Sequence, residues 1–124
     1  MTQVTLLFGS LYGLFAIILG AFGAHLLKKY LTEDALKSFE TGVKYQLYHA
    51  LLLLLIGFNF ELVTKVEQTM VYALIIGTFL FSFSIYGLVL TSLTNNKWRF
   101  LGPVTPLGGL LLITGWILLF ISFL

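Results

Sequence analysis

Residues 43–62, VKYQLYHALLLLLIGFNFEL, decide how this chain is read. From Ala50 to Phe58 no polar side chain interrupts the run, and its length is close to the roughly 20 residues that cross a hydrocarbon core about 30 Å thick. Three further stretches repeat the pattern, so the apolar spans fall at about 4–27, 43–62, 69–92 and 105–124. The 124 residues are 59% hydrophobic and 10% charged, where a soluble domain carries about 25% charge. Too few charges remain to cover a soluble core, so lipid must be the covering solvent. The expected architecture is an all-α integral membrane four-helix bundle forming a single domain over residues 1–124. The first apolar run is read as a span rather than a cleaved leader, because no Lys or Arg precedes it and it exceeds a leader's apolar stretch.

The loops set the expected orientation. Lys28, Lys29, Lys37 and Lys44 follow the first span, and Lys97 and Arg99 follow the third. The second loop has only Lys65. Such asymmetry puts the first and third loops in the cytoplasm and both termini outside, in the cell (inner) membrane. Tyr30 and Trp98 then sit at the inner interface, where aromatic anchors are usual. The net charge of +2 comes from these scattered loop residues, which excludes a nucleic-acid surface. Without cysteine there are no disulfides and no thiolate metal sites.

Between the first two spans, Thr32 is an N-cap with Glu33 and Asp34 in the turn after it. Leu36, Phe39 and Val43 recur at helical spacing with Lys37, Glu40 and Lys44 interleaved. This predicts a short amphipathic helix lying on the inner surface and bending into the second span at Gly42. Thr105, followed by Pro106, predicts a capped start for the fourth span.

Small residues mark the packing faces. Gly9, Gly13, Ala16, Gly20 and Gly23 form a stripe along the first span. Gly77, Ser84, Gly87 and Thr91 share a face of the third, and Gly108, Leu112 and Gly115 a face of the fourth. Because lipid tails give helices no net hydrophobic drive to associate, close backbone approach at such stripes is the main device. The stripe on the first span fits contacts within one chain better than a homo-oligomer interface.

The polar side chains within the spans fall mostly toward the cytoplasmic side: His25, Tyr45, Gln46, His49, Ser82, Ser84, Tyr86 and Thr105. Ser10, Asn59 and Ser122 are the exceptions in the outer half. Polar atoms inside hydrocarbon are expensive, so a one-sided set marks the place to look for function. His25 and His49 sit near one depth and could bind haem or a metal ion, or relay a proton. Equally, each could be a neutral packing group bonded to a carbonyl, a hydroxyl or a tyrosine. Two span starts at the inner face, with Lys28, Lys29, Lys44 and Arg99 near and Gly108 and Gly109 leaving backbone accessible, form a candidate phospholipid or anion contact. Trp116 falls near mid-membrane, and Ser82 or Thr78 could accept its indole N–H.

Classical catalysis finds little support: no span holds a carboxylate pair, and there is no nucleophile elbow, phosphate loop or cysteine. Ser82 or Ser84 with His49 lacks a third member. The chain reads as a non-enzyme without a resident cofactor. Its polar cluster is expected to act as a structural lock that also offers a site for lipid or a membrane-protein partner. The alternative is a small oligomeric transporter or proton-coupled carrier using the two histidines.

Four motifs together, Gly20-Ala-Phe-Gly-Ala-His-Leu26, Thr41-Gly-Val-Lys-Tyr-Gln-Leu-Tyr-His-Ala50, Leu80-Phe-Ser-Phe-Ser-Ile-Tyr86 and Thr105-Pro-Leu-Gly-Gly109 with Gly115-Trp116, resemble the bacterial membrane family catalogued as domain of unknown function 423. Transmembrane protein 256 is its animal relative. The resemblance covers nearly the whole chain and implies a multi-pass inner-membrane protein. It implies no activity and no catalytic residues. The family pattern has glycine where this chain has Leu26 and Phe83.

Overall fold

Long apolar runs in hydrocarbon must satisfy their own backbone, and here they do so entirely as helix. The structure, a computed structural model, describes residues 1–124 and contains no strand. Its four long helices are α1 (Thr2–Leu27), α2 (Glu33–Asn59), α3 (Lys65–Thr91) and α4 (Val104–Ile121). Three are long and apolar enough to cross a membrane: α1, α3, and α4 together with the short 3₁₀ turn Arg99–Leu101 before it. α2 is as long, but Lys37, Glu40, Lys44, Gln46 and His49 dilute its apolarity.

The helix starts follow their capping chemistry. Thr32 accepts the Ala35 N–H at 3.2 Å, with Glu33 and Asp34 in the first turn, as its sequence predicts. Thr64 and Glu67 form a reciprocal capping box at the start of α3: Thr64 Oγ1 accepts the Glu67 N–H, and the Glu67 carboxylate accepts the Thr64 N–H at 3.1 Å. Between α2 and α3 the buried Leu62 holds φ 58°, a left-handed conformation that costs a side-chain-bearing residue about 1–2 kcal/mol. Gln68 Nε2 donates to the Leu62 carbonyl at 3.2 Å and fixes the turn.

Two expectations are corrected. α2 runs unbroken from Glu33 to Asn59, so there is no separate surface helix and no break at Gly42. Gly42 is small for a different reason: a Cβ there would lie 2.8 Å from the Tyr86 ring of α3. Thr105 is not a cap either. α4 begins at Val104 after Pro103, without a side-chain cap.

Both α1 and α3 contain a π-turn, at Leu19–Gly23 and Phe79–Phe83. Gly20 of the first lies against Val43, and Ser82 of the second bonds to Gly42, so the two turns flank α2 at one level. α1 lies along α2 through its small-residue stripe, with Gly9 against Leu54 and the Ala50 carbonyl, Gly13 against Ala50, and Gly23 against Phe39. α4 packs on α3 and on no other helix backbone. There a Cβ on Gly77 would sit 2.9 Å from the Leu112 nitrogen, and one on Gly115 2.6 Å from the Leu74 side chain. α3 is therefore the hub: it touches every other helix and is the most buried of the three apolar ones.

Candidate functional site

Gln46 stands at the midpoint of α2 and is fully buried. Its amide satisfies both neighbouring helices. Nε2 donates to the Tyr12 carbonyl of α1 at 2.8 Å, and Oε1 accepts the Tyr86 hydroxyl of α3 at 2.7 Å. Tyr12 closes the triangle by donating its hydroxyl to the Ile75 carbonyl of α3 at 2.8 Å. One turn of α2 away, Ser82 Oγ donates to the Gly42 carbonyl at 2.7 Å. Every one of these bonds joins different helices, and three of the four end on a main-chain carbonyl.

A second group ties α4 into the assembly. Ser84 and Thr105 share a hydrogen bond of 2.6 Å between α3 and α4. His49 of α2 is bonded through both ring nitrogens: Nδ1 meets the Tyr45 carbonyl at 2.7 Å, and Nε2 meets Trp116 Nε1 at 3.1 Å. A carbonyl only accepts and an indole N–H only donates, so the ring carries its proton on Nδ1 and offers its Nε2 lone pair to Trp116. This is the neutral tautomer. Trp116 thus finds its acceptor in His49, not in Ser82 or Thr78 as its depth had suggested. Ser82 is committed to Gly42, and the buried Thr78 hydroxyl has no partner.

Gln46, Tyr86 and Ser82 are therefore part of the first group and His49, Ser84 and Thr105 part of the second, whereas Tyr45 and His25 contribute differently. Tyr45 is 43% exposed and packs its ring on Phe81, centroids 5.1 Å apart. His25 is exposed near the end of α1 and makes no hydrogen bond, so the facing pair of imidazoles does not exist. Because α2 begins at Glu33, Gln46 and His49 lie near the middle of that helix. By contrast, the polar residues of the other half remain within their own helices: Ser10, Asn59 and Ser122 each donate to the carbonyl four residues back.

Of the residues expected to meet an anion, Lys28 and Lys29 are exposed in the turn after α1, Lys44 on α2 and Arg99 in the 3₁₀ turn before α4. Gly108 is buried against the Phe81 backbone, where a Cβ would fall 2.9 Å from Phe81 Cα, and so presents no accessible backbone. Gly109 is only partly covered. Of the departures from the family pattern, Leu26 points outward at 67% exposure and Phe83 packs edge-on against Tyr86.

Two participants escaped the sequence reading. Tyr12 was readable in principle: Thr5, Gly9, Tyr12 and Ala16 recur at spacings of one helical face and are the buried residues of α1. The second is a cleft of about 640 Å³ at the lysine-rich end, lined by Asp34, Ser38, Ser92 and Lys97 among others.

A family model described as "Protein of unknown function (DUF423)" matches residues 19–109. The chain belongs to this family. All eight cluster residues named from the sequence lie inside the matched segment, while Tyr12 and Trp116 lie outside it. Relatives in the DUF423 family are similar over nearly their full length. The UPF0382 membrane protein of Staphylococcus haemolyticus is 38% identical over 97% of this chain and 94% of its own. UPF0382 membrane protein YwdK of Bacillus subtilis is 34% identical over 97% and 95%. A UPF0382 membrane protein of Schizosaccharomyces pombe is 39% identical over 86% and 90%. No solved structure matches. The relatives' names and the three membrane-length apolar helices make this DUF423 chain a multi-pass membrane protein in a lipid bilayer, and the names carry no activity.

Proposed function

We propose that the protein crosses the inner membrane four times as a four-helix bundle with both termini outside. In this reading it acts without catalysis, and its polar network is a structural lock that fixes the helices in register for lipid or partner proteins to dock. One observation carries the lock: the fully buried Gln46 amide bonded at 2.8 Å and 2.7 Å to helices on either side of it. In hydrocarbon such a group has no water to fall back on, so a register that loses its partners is penalised. The orientation rests on the positive-inside asymmetry of the loops.

A proton or solute carrier needs an accessible imidazole. His49 has both nitrogens engaged, which favours the lock. The test combines topology with function. The chain has no native cysteine, so single cysteines can be placed at will. In intact cells Gln68→Cys is expected to react with a membrane-impermeant maleimide, and Asn95→Cys only after lysis; the reverse pattern would invert the topology. In proteoliposomes, His49→Ala is expected to lower thermal stability. Loss of a flux with an unchanged melt would replace the lock with a carrier.

A further inference from the structure

At the lysine-rich end, the start of α2, the end of α3 and the loop before α4 enclose the cleft of about 640 Å³. Its walls have two characters. Ile85, Leu88 and Val89 of α3 supply an apolar side, and Asp34, Ser38 and Lys97 a polar one. Asp34 and Lys97 are opposite charges lining one cleft, yet they form no ion pair with each other or with anything else. The only ion pair in the chain is Lys37 with Glu33, at 3.8 Å. Ser38 is exposed and its hydroxyl makes no hydrogen bond. Next to Lys97, Trp98 and Phe100 are exposed and stacked with centroids 5.9 Å apart, the kind of aromatic pair that seats at the headgroup level of a bilayer.

We propose that this cleft binds the headgroup of a zwitterionic phospholipid carrying a primary ammonium, of the phosphatidylethanolamine type. The phosphate diester would face Lys97 and the Ser38 hydroxyl, the ammonium would face Asp34, and the glycerol and upper acyl carbons would lie on Ile85, Leu88 and Val89. An anionic lipid would leave Asp34 facing a surplus negative charge, which is the discriminating element in the cleft. A free phosphate compound would leave the apolar wall uncovered. A metal ion would find one carboxylate and a repelling lysine. The proposal rests on the reading that the lysine-rich end lies at a membrane surface; it does not depend on the polar lock or on which side of the membrane that end faces.

The test is native mass spectrometry of the detergent-purified protein with equal added phosphatidylethanolamine or phosphatidylglycerol. The wild type is expected to retain the former about tenfold better, the value of one charge-assisted hydrogen bond. Asp34→Asn should erase that preference, Asp34→Glu should restore it, and Lys97→Gln should weaken both lipids. Equal binding by the wild type, or an unchanged preference in Asp34→Asn, overturns the proposal. Displacement of the lipid by an equal concentration of O-phosphoethanolamine overturns the lipid assignment in favour of a soluble ligand. Because both charged residues are exposed, thermal melts of the variants should match the wild type, and a lost preference in a protein of unchanged melt is a lost site. An inverted cysteine-labelling pattern would move the cleft to the other membrane surface without touching this selectivity.

Discussion

Replacing Gln46 by methionine keeps the length and volume of the side chain and removes both of its interhelical hydrogen bonds. Such bonds between helices in membranes are worth about 0.6 kcal/mol on average, with a maximum near 1.7. The Tyr12 carbonyl lies within a helix and loses little. Tyr86 is 5% exposed and its hydroxyl is stranded, which adds about 1–3 kcal/mol for a buried unsatisfied group. Gln46→Met should therefore destabilise the protein by about 2–4 kcal/mol. Tyr86→Phe strands the Gln46 carbonyl instead and should cost somewhat less. The double variant strands neither, so its loss should fall short of the sum of the singles by about 1 kcal/mol. Unfolding in mixed micelles by titration with sodium dodecyl sulfate, followed by circular dichroism, measures all three. A Gln46→Met protein within about 0.5 kcal/mol of wild type, or strictly additive single losses, would refute the claim that this amide holds the helices together.

Two adjacent glycines give a second contrast: Gly108→Ala must push the Phe81 backbone away and should cost about 1–3 kcal/mol, whereas Gly109→Ala meets only a Phe81 ring carbon at 3.9 Å and should be near neutral in the same titration. For the pair across α2 and α4, Trp116→Phe and His49→Leu should each lower stability by about 1 kcal/mol and the double variant by little more. Additive losses there would mean that the 3.1 Å contact is incidental.

Much of this was legible because membrane helices obey few rules. The four long helices, the Thr32 cap and the small-residue face of α1 follow from span length, capping chemistry and the need for close approach. Gly42 shows where legibility ends. A glycine inside an amphipathic segment fits a bend and a close contact equally well, and only the position of Tyr86, 44 residues on, separates them. The π-turns are of the same kind: an extra residue per turn is chosen by what packs beside it, and nothing local marks Leu19–Gly23 or Phe79–Phe83. The histidines were placed by depth along their spans. Depth does not give rotation, and rotation sends His25 outward and His49 to Trp116.

The two kinds of helix contact divide the work in a way that depth alone does not reveal. Within the pairs α1–α2 and α3–α4, glycines and alanines let the backbones touch, so van der Waals packing holds each pair. Packing of this kind is strong but slides easily in one direction, since a small-residue stripe looks nearly the same one turn up or down. Between the pairs the contacts are directional. Ser82 to Gly42, Tyr86 to Gln46, Tyr12 to Ile75 and Trp116 to His49 cross from one pair to the other, while Gln46 to Tyr12 adds a directional bond inside the first pair. A shift of one helical turn, about 5.4 Å, would part Tyr86 from the Gln46 amide and Trp116 from His49, the two bonds whose acceptors are side chains found at one position only. The full burial of Gln46 at the midpoint of α2 fits this logic, because an exposed polar group could trade its partner for water, and a buried one cannot.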